Sequence, residues 1–119
     1  MALTVLHPLS EVVVNANSTS IGATPIVAYG RAPFRGKIMK VGLNQTAAVT
    51  GTGTLTVAIN GTAVTTGVVT YTAGSAGSHF SANPTAANLV NEDDVISWTP
   101  AGATGATIAG NCYAVIRRT

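Results

Sequence analysis

The sequence predicts an all-β protein, a single-domain, jelly-roll-like antiparallel β-sandwich. Its 119 residues suit one domain. Threonine, valine and glycine are frequent, and turn residues interrupt the chain at intervals of about eight to twelve positions, which is typical of a sandwich or barrel. About seven or eight strands with some long connections between them fit a jelly roll better than a simple meander.

The N-terminal part of the chain allows two interpretations. Residues 1–22 form either an arm or the first strand, and residues 23–119 form the sandwich domain. Residues 11–15 are a short strand candidate, but the polar residues 15–20 that follow would also suit an arm leading into the domain. The next short strand is expected over residues 26–29.

A stronger strand signal covers residues 36–43. Met39, Val41 and Leu43 would share one face. Ile38 breaks the strict alternation of a strand, so we expect either a β-bulge or an edge position here.

The clearest local signal is a hairpin. Residues 53–59 alternate between apolar and small polar side chains, as in a half-buried strand. Asn60 and Gly61 follow directly, and both central residues of a type I′ turn need positive φ, which Asn and Gly tolerate best. The return strand is expected from residue 62 to about residue 71, with Val64 and Val68 on one face.

Two more strands and one helical turn complete the prediction. A strand over residues 94–99 is expected to stop at Pro100, and the last strand is expected over residues 107–117. Residues 84–91 could hold a helical turn, because a proline suits its first position. The side chains expected in the core are Leu55, Val57, Ile59, Ile96, Trp98 and Ile116.

Charge is scarce in this chain. Charged residues make up 8% of it, against roughly 25% in an average soluble protein. On a monomer surface of the order of 6,000 Å², this leaves about one charge per 600 Å². Such a surface favours an assembly component or a binding domain over a free enzyme, and it favours a closed homo-oligomer that covers part of the surface.

The titratable residues indicate no catalytic site, no metal site and no cofactor. His7 and His79 have no carboxylate or nucleophile at a suggestive spacing. The acidic run at residues 92–94 is interpreted as a polar turn, since consecutive side chains point apart and no Asp-x-Asp spacing occurs. Cys112 is expected to be a small buried residue of the last strand.

Nucleic acid and membranes are not expected partners. Six basic residues against four acidic ones give a net charge of +2, which does not supply the basic stripe that nucleic-acid binding requires. The longest apolar runs are far shorter than the 18 or so residues of a membrane span.

Two groups of residues have both a structural and a functional interpretation. Arg31, Arg35, Lys37 and Lys40 fall within ten positions; they form either a solvated strand edge or a docking patch for an acidic protein surface. The aromatic residues Trp98 and Tyr113 either pack in the core or an interface, or form a platform on which sugars stack.

Four segments of the chain are similar to segments of a known group of proteins: residues 32–38 (APFRGKI), 53–61 (GTLTVAING), 92–97 (EDDVIS) and 110–116 (GNCYAVI). Together they resemble the small head decoration, or cement, proteins of tailed bacteriophages. The resemblance covers roughly residues 32–117, in composition and strand order. It implies a jelly-roll-like sandwich, usually trimeric, on the outer surface of the virion where capsomers meet.

The resemblance implies a viral structural protein that stabilises a phage capsid by bridging capsomers, with the major capsid protein as its partner. It transfers no binding residues. The alternative is a host- or glycan-binding domain of a phage fibre or adhesin. A basic docking face with an N-terminal arm favours the first function, and a groove lined by tryptophan and tyrosine favours the second.

For the decoration function, we expect the N-terminal segment and the basic segment to face the shell. Apolar side chains of an arm would order on contact, and the basic side chains would pair with acidic groups of the capsid. The docking candidates are Leu3, Val5, Leu6, Leu9, Arg31, Arg35, Lys37 and Lys40.

Overall fold

A computed structural model describes residues 11–119, which form two antiparallel β-sheets packed face to face. The all-β, single-domain sandwich prediction is confirmed. The described residues contain no helix, and hence none long and apolar enough to cross a membrane. Their strands are β1 (Glu11–Ser18), β2 (Ala28–Arg31), β3 (Gly36–Gln45), β4 (Gly53–Ile59), β5 (Thr62–Tyr71), β6 (His79–Ala82), β7 (Leu89–Val90), β8 (Val95–Ala101) and β9 (Gly110–Arg118).

The strand order is that of a jelly-roll-like sandwich. The first sheet has the order β1-β9-β3-β6, with the two-residue β7 also paired to β3, and the second has the order β2-β8-β4-β5. Every pair of neighbouring strands is antiparallel. Apart from the β4–β5 hairpin and the β6–β7 connection, the chain crosses from one sheet to the other at each step, so every sheet contains strands from both halves of the sequence.

The core between the sheets contains all six of the side chains that were expected there. Leu55, Val57, Ile96 and Ile116 are completely buried, and Ile59 is nearly so. Trp98, the largest of the six, is also completely buried. Its indole N–H donates a hydrogen bond to the backbone carbonyl of Tyr113, with a nitrogen–oxygen distance of 3.2 Å, so the buried polar atom has a partner.

The predicted hairpin is confirmed with its turn. β4 and β5 have the expected bounds, and Asn60 and Gly61 adopt positive φ angles of 50° and 89°. The expectation that Val64 and Val68 share a face is wrong, because Val64 is buried whereas Val68 is 48% exposed. Thr66 has a φ of 56°, and the β4–β5 register shifts at this level. This bulge turns the following side chains to the opposite face.

β3 contains the bulge that the sequence suggested. The register with β9 shifts between Ile38 and Lys40, so Met39 is the additional residue and is only half-buried. Ile38, Val41 and Leu43 point into the core. The alternative explanation, an edge position, is wrong, because β3 lies between β9 and β6.

β8 continues through Pro100 to Ala101, two residues beyond Thr99, the predicted last residue of this strand. β2 pairs with β8 only up to Trp98, so beyond that point no described strand lies on this side of β8. Proline is tolerated at such a position, since its missing N–H can face the side without a partner. On the other side, Pro100 lies opposite Leu55 of β4.

The predicted helical turn at residues 84–91 is wrong. Ala86 instead forms an isolated antiparallel bridge with Thr65 of β5, and the end of the segment becomes β7. β-sheet pairing with β5 and β3 therefore overrides the weak local helical preference.

The N-terminal segment is described only in part. β1 occupies residues 11–18 as an edge strand of the first sheet, paired along its whole length with β9. The docking candidates Leu3, Val5, Leu6 and Leu9 lie outside the described residues.

Candidate functional site

The two ends of the sandwich differ in their charge. At one end, β1 begins and β9 finishes, the β2–β3 and β7–β8 connections cross from one sheet to the other, and the β4–β5 hairpin has its turn. At the other end lie the β1–β2, β3–β4, β5–β6 and β8–β9 connections. We call these the charged end and the uncharged end, because all charged residues but one lie at the first and none lies in the four connections at the second.

Nine of the ten charged residues of the chain lie at the charged end. The tenth, Lys40, lies farther along β3, opposite Val115 on the outer face of the first sheet. The nine are Glu11, Arg31, Arg35, Lys37, Glu92, Asp93, Asp94, Arg117 and Arg118.

The acidic run forms the turn before β8 and is tied to the end of β2. The guanidinium of Arg31 donates a hydrogen bond to the carbonyl of Asp93 at 2.8 Å. The carboxylate of Asp94 accepts a hydrogen bond from the backbone N–H of Asn91 at 2.8 Å. This bond, and in second place one from the side chain of Asn60, lowers the pKa of Asp94 below its usual value.

Acidic and basic groups are also interleaved where the first sheet reaches the charged end. Arg117 and Glu11 are cross-strand partners and form an ion pair, with 2.7 Å between nitrogen and oxygen. Lys37 is the neighbour of Arg117 on its other side. The guanidinium of Arg118 lies 4.0 Å from the ring centroid of Phe34, a cation–π contact. The surface is therefore one of mixed charge with a small positive excess.

The structure brings three of the four basic candidates together. Arg31, Arg35 and Lys37 are exposed at the charged end, where Glu11, the first described residue, also lies. Lys40 is half-buried and stands apart from them on the first sheet. The sequence did not indicate that acidic residues 92–94 belong to the same surface as these basic residues. The two groups are about 60 positions apart in sequence, and only the strand order brings them close.

The connections of the uncharged end are held to one another by hydrogen bonds. The N–H of Ile21 donates to the carbonyl of Ile108 at 2.8 Å, and Thr50 and Thr104 exchange two backbone hydrogen bonds. The hydroxyl of Tyr71 donates to the carbonyl of Ile21 at 2.8 Å. Because Ile21 and Ile108 are also buried, this end has a small apolar core of its own.

The aromatic platform suggested by the sequence does not form from its two members. Trp98 is completely buried, whereas Tyr113 lies on the outer face of the first sheet. Core packing is therefore the correct interpretation for Trp98. Cys112 is also buried, and burial raises the pKa of its thiol to about 12, so it is not a reactive thiolate at neutral pH.

The outer face of the second sheet consists of uncharged side chains. Its strand residues are small and mostly exposed: Thr54, Thr56, Ala58, Thr70, Ser97, Thr99 and Ala101. The larger apolar side chains on this face are Tyr29, which is 67% exposed, Val68 and the half-buried Val95. Arg31 lies only at its margin. The alternating Thr and Ala positions of β4 and β8 are the sequence signal for this face.

The sequence matches no protein-family model and has no significant match among curated proteins.

Proposed function

We propose that this chain is a viral structural protein that decorates a phage capsid and stabilises it by bridging capsomers. It would bind the major capsid protein on the outer surface of the virion through its charged end. The observation that carries the proposal is the concentration of nine of the ten charged residues at one end of the sandwich. The proposed role is mechanical and requires no catalysis.

Concentrated charge can orient a protein on its partner. Complementary charges favour one docking geometry and penalise others, and they make attachment sensitive to salt. The uncharged end offers no such groups. Because the charged end carries both signs, its partner surface should also be mixed, with an acidic excess opposite Arg31, Arg35 and Lys37.

Weak contacts suffice for this role when they are repeated. An exposed ion pair contributes about 0.2–1 kcal/mol, so one copy would hold only loosely. A homotrimer that contacts several capsomers engages several such surfaces at once, and each later contact forms at high effective concentration. Separation of the capsomers would then require the loss of all these contacts together.

The outer face of the second sheet is the surface that we assign to the contact between copies. We expect light scattering at micromolar concentration to give three times the 11.9 kDa mass of one chain. Val68→Lys should lower this mass, because it places an unpaired charge in an uncharged interface. Val13→Lys, at a similarly exposed valine of the first sheet, should leave it unchanged. A mass near 12 kDa for the unmodified protein would contradict the trimer.

Substitution of the basic residues tests the docking end. Capsids stripped of the protein would be mixed with a variant in which Arg31, Arg35, Lys37 and Lys40 are changed to serine, and occupancy would be measured at low and high salt. Because the three basic side chains of the charged end are among those removed, we expect affinity to fall by about tenfold or more at low salt. A variant that lacks residues 1–10 should also attach more weakly.

The matched control carries four exposed alanine-to-serine changes at the uncharged end. Its positions are Ala47, Ala48, Ala76 and Ala106. This variant should decorate capsids normally. The docking assignment fails if the basic-residue variant and the truncated variant, both folded, reach full occupancy at both low and high salt.

The alternative function, a host- or glycan-binding domain of a phage fibre or adhesin, depended on a groove lined by Trp98 and Tyr113. Burial of Trp98 removes half of that groove. We therefore favour the decoration function for the molecule as a whole.

A further inference from the structure

The outer face of the first sheet carries a straight row of polar side chains. Asn17, Asn111, Asn44 and His79 are successive register partners on β1, β9, β3 and β6. Neighbouring strands are about 4.8 Å apart, so the row crosses the whole sheet at regular intervals. It lies toward the uncharged end of the sandwich, away from the proposed capsid contact.

A flat aromatic pair lies beside this row. A Cβ atom on Gly42 would overlap the ring of Tyr113, so the glycine is what lets that ring extend over β3. The hydroxyl of Tyr113 and Nε2 of His79 are hydrogen-bonded at 2.6 Å. The ring planes differ by 19° and the centroids are 5.6 Å apart. Because the bond joins the outer edges of the rings, they lie side by side and hold each other in place.

The amides of the row have no partners within the described part of the protein. The side chains of Asn17, Asn44 and Asn111 make no hydrogen bond to another described residue, whereas those of Gln45 and Asn88 on nearby segments do. Each free amide offers two donors and one carbonyl acceptor. The row therefore does not stabilise the sheet through an internal amide ladder, and its hydrogen-bonding capacity is directed outward.

None of the described Asp, Glu, Lys or Arg residues lies within this part of the face. The adjacent outward row toward the charged end contains Asn15, Tyr113, Gly42 and Ser81. The row after it contains Val13, Val115 and Lys40, and the ion pair between Glu11 and Arg117 lies beyond both. Neutral donors and acceptors next to an aromatic surface complement a neutral ligand that has hydroxyl groups on its rim and C–H groups on its face.

We propose that this face binds a neutral, extended glycan chain. A pyranose ring places its C–H face against an aromatic ring and its hydroxyls against side-chain amides, so Tyr113 and His79 supply the platform and the asparagines supply the hydrogen bonds. The strand spacing is close to the length of one sugar unit in an extended β-1,4-linked chain, so a chain running across the strands would meet one polar side chain per sugar. This site is separate from the capsid contact, and its test does not depend on that contact.

The test is a titration of the full-length, isotopically labelled protein, followed by amide chemical shifts. The neutral, extended probes are cellohexaose and the corresponding hexamer of N-acetylglucosamine. Maltohexaose, which is neutral but coiled, is the comparison ligand. We expect at least one extended probe to give saturable shifts at Asn44, Asn111 and Tyr113, and maltohexaose to bind more weakly.

Variants assign the binding to individual groups. Tyr113→Ala should lower the affinity by about tenfold or more, as for a buried aromatic contact. The double variant Asn44→Ala, Asn111→Ala should also lower the affinity by about tenfold or more. Because it keeps the Tyr113–His79 ring pair, it tests the proposal even if Tyr113→Ala fails to fold. Thr56→Ala on the second sheet should bind normally. The proposal is overturned if neither extended probe causes saturable shifts on this face, if maltohexaose binds equally well, or if the double variant keeps full affinity.

Discussion

Replacement of Trp98 by alanine is expected to lower the free energy of unfolding by about 3–5 kcal/mol, the range for a large aromatic side chain removed from a core. The residue is completely buried, and a Cβ atom on Gly30 would already touch its ring, so the ring covers Gly30 of β2 on the inner face of the second sheet. The change also leaves the carbonyl of Tyr113 without its indole partner. Denaturant unfolding followed by far-ultraviolet circular dichroism measures the effect.

The control is Tyr29→Ala, which removes an aromatic side chain that is 67% exposed in the monomer. Measured at a concentration low enough to keep the protein monomeric, it should change the free energy of unfolding by no more than about 0.5 kcal/mol. If Trp98→Ala cost as little as this control, the core described for the sandwich would be wrong.

Addition of one methyl group at Gly53 is expected to have the second largest effect on stability. A Cβ atom there would overlap the ring of Tyr71, which is completely buried and whose hydroxyl is bonded to the carbonyl of Ile21. We expect Gly53→Ala to cost about 1–3 kcal/mol through overpacking, and about 1 kcal/mol more if the tyrosine bond is broken.

The neighbouring position provides the comparison for this change. Thr54 is exposed on the outer face of the second sheet, so Thr54→Ala, measured at the same low concentration that keeps the protein monomeric, should stay within about 0.5 kcal/mol of the unmodified protein. Equal thermal midpoints for the two variants would show that Tyr71 is not packed against the glycine.

Local sequence predicts the fold best where local chemistry decides the conformation. The β4–β5 hairpin could be predicted with its bounds, because Asn60 and Gly61 tolerate positive φ and the alternation before them is regular. The exposure of Val68 could not be predicted, because it depends on a bulge at Thr66, and threonine rarely adopts a positive φ. Pro100 was misjudged for a related reason: its place in a strand depends on where β2 stops pairing.

The candidate surfaces depend still more on long-range pairing. Basic residues 31–37 were visible in the sequence as a cluster, but their position beside residues 92–94 and 117–118 follows from the strand order alone. His79 and Tyr113 are 34 positions apart, and no spacing pattern links them. The sequence nevertheless contains one early signal, because the four connections of the uncharged end have no charged residue.

The most direct measurement for the central claim is a cryo-electron microscopy map of the particle with which the protein co-purifies, at a resolution that shows strands. The proposed function predicts trimers on the outer surface of a capsid, with Arg31, Arg35 and Lys37 at the shell and residues 46–52, 72–78 and 102–109 directed toward solvent. A map in which those three connections contact the shell, or in which the protein is part of a tail fibre, would contradict it.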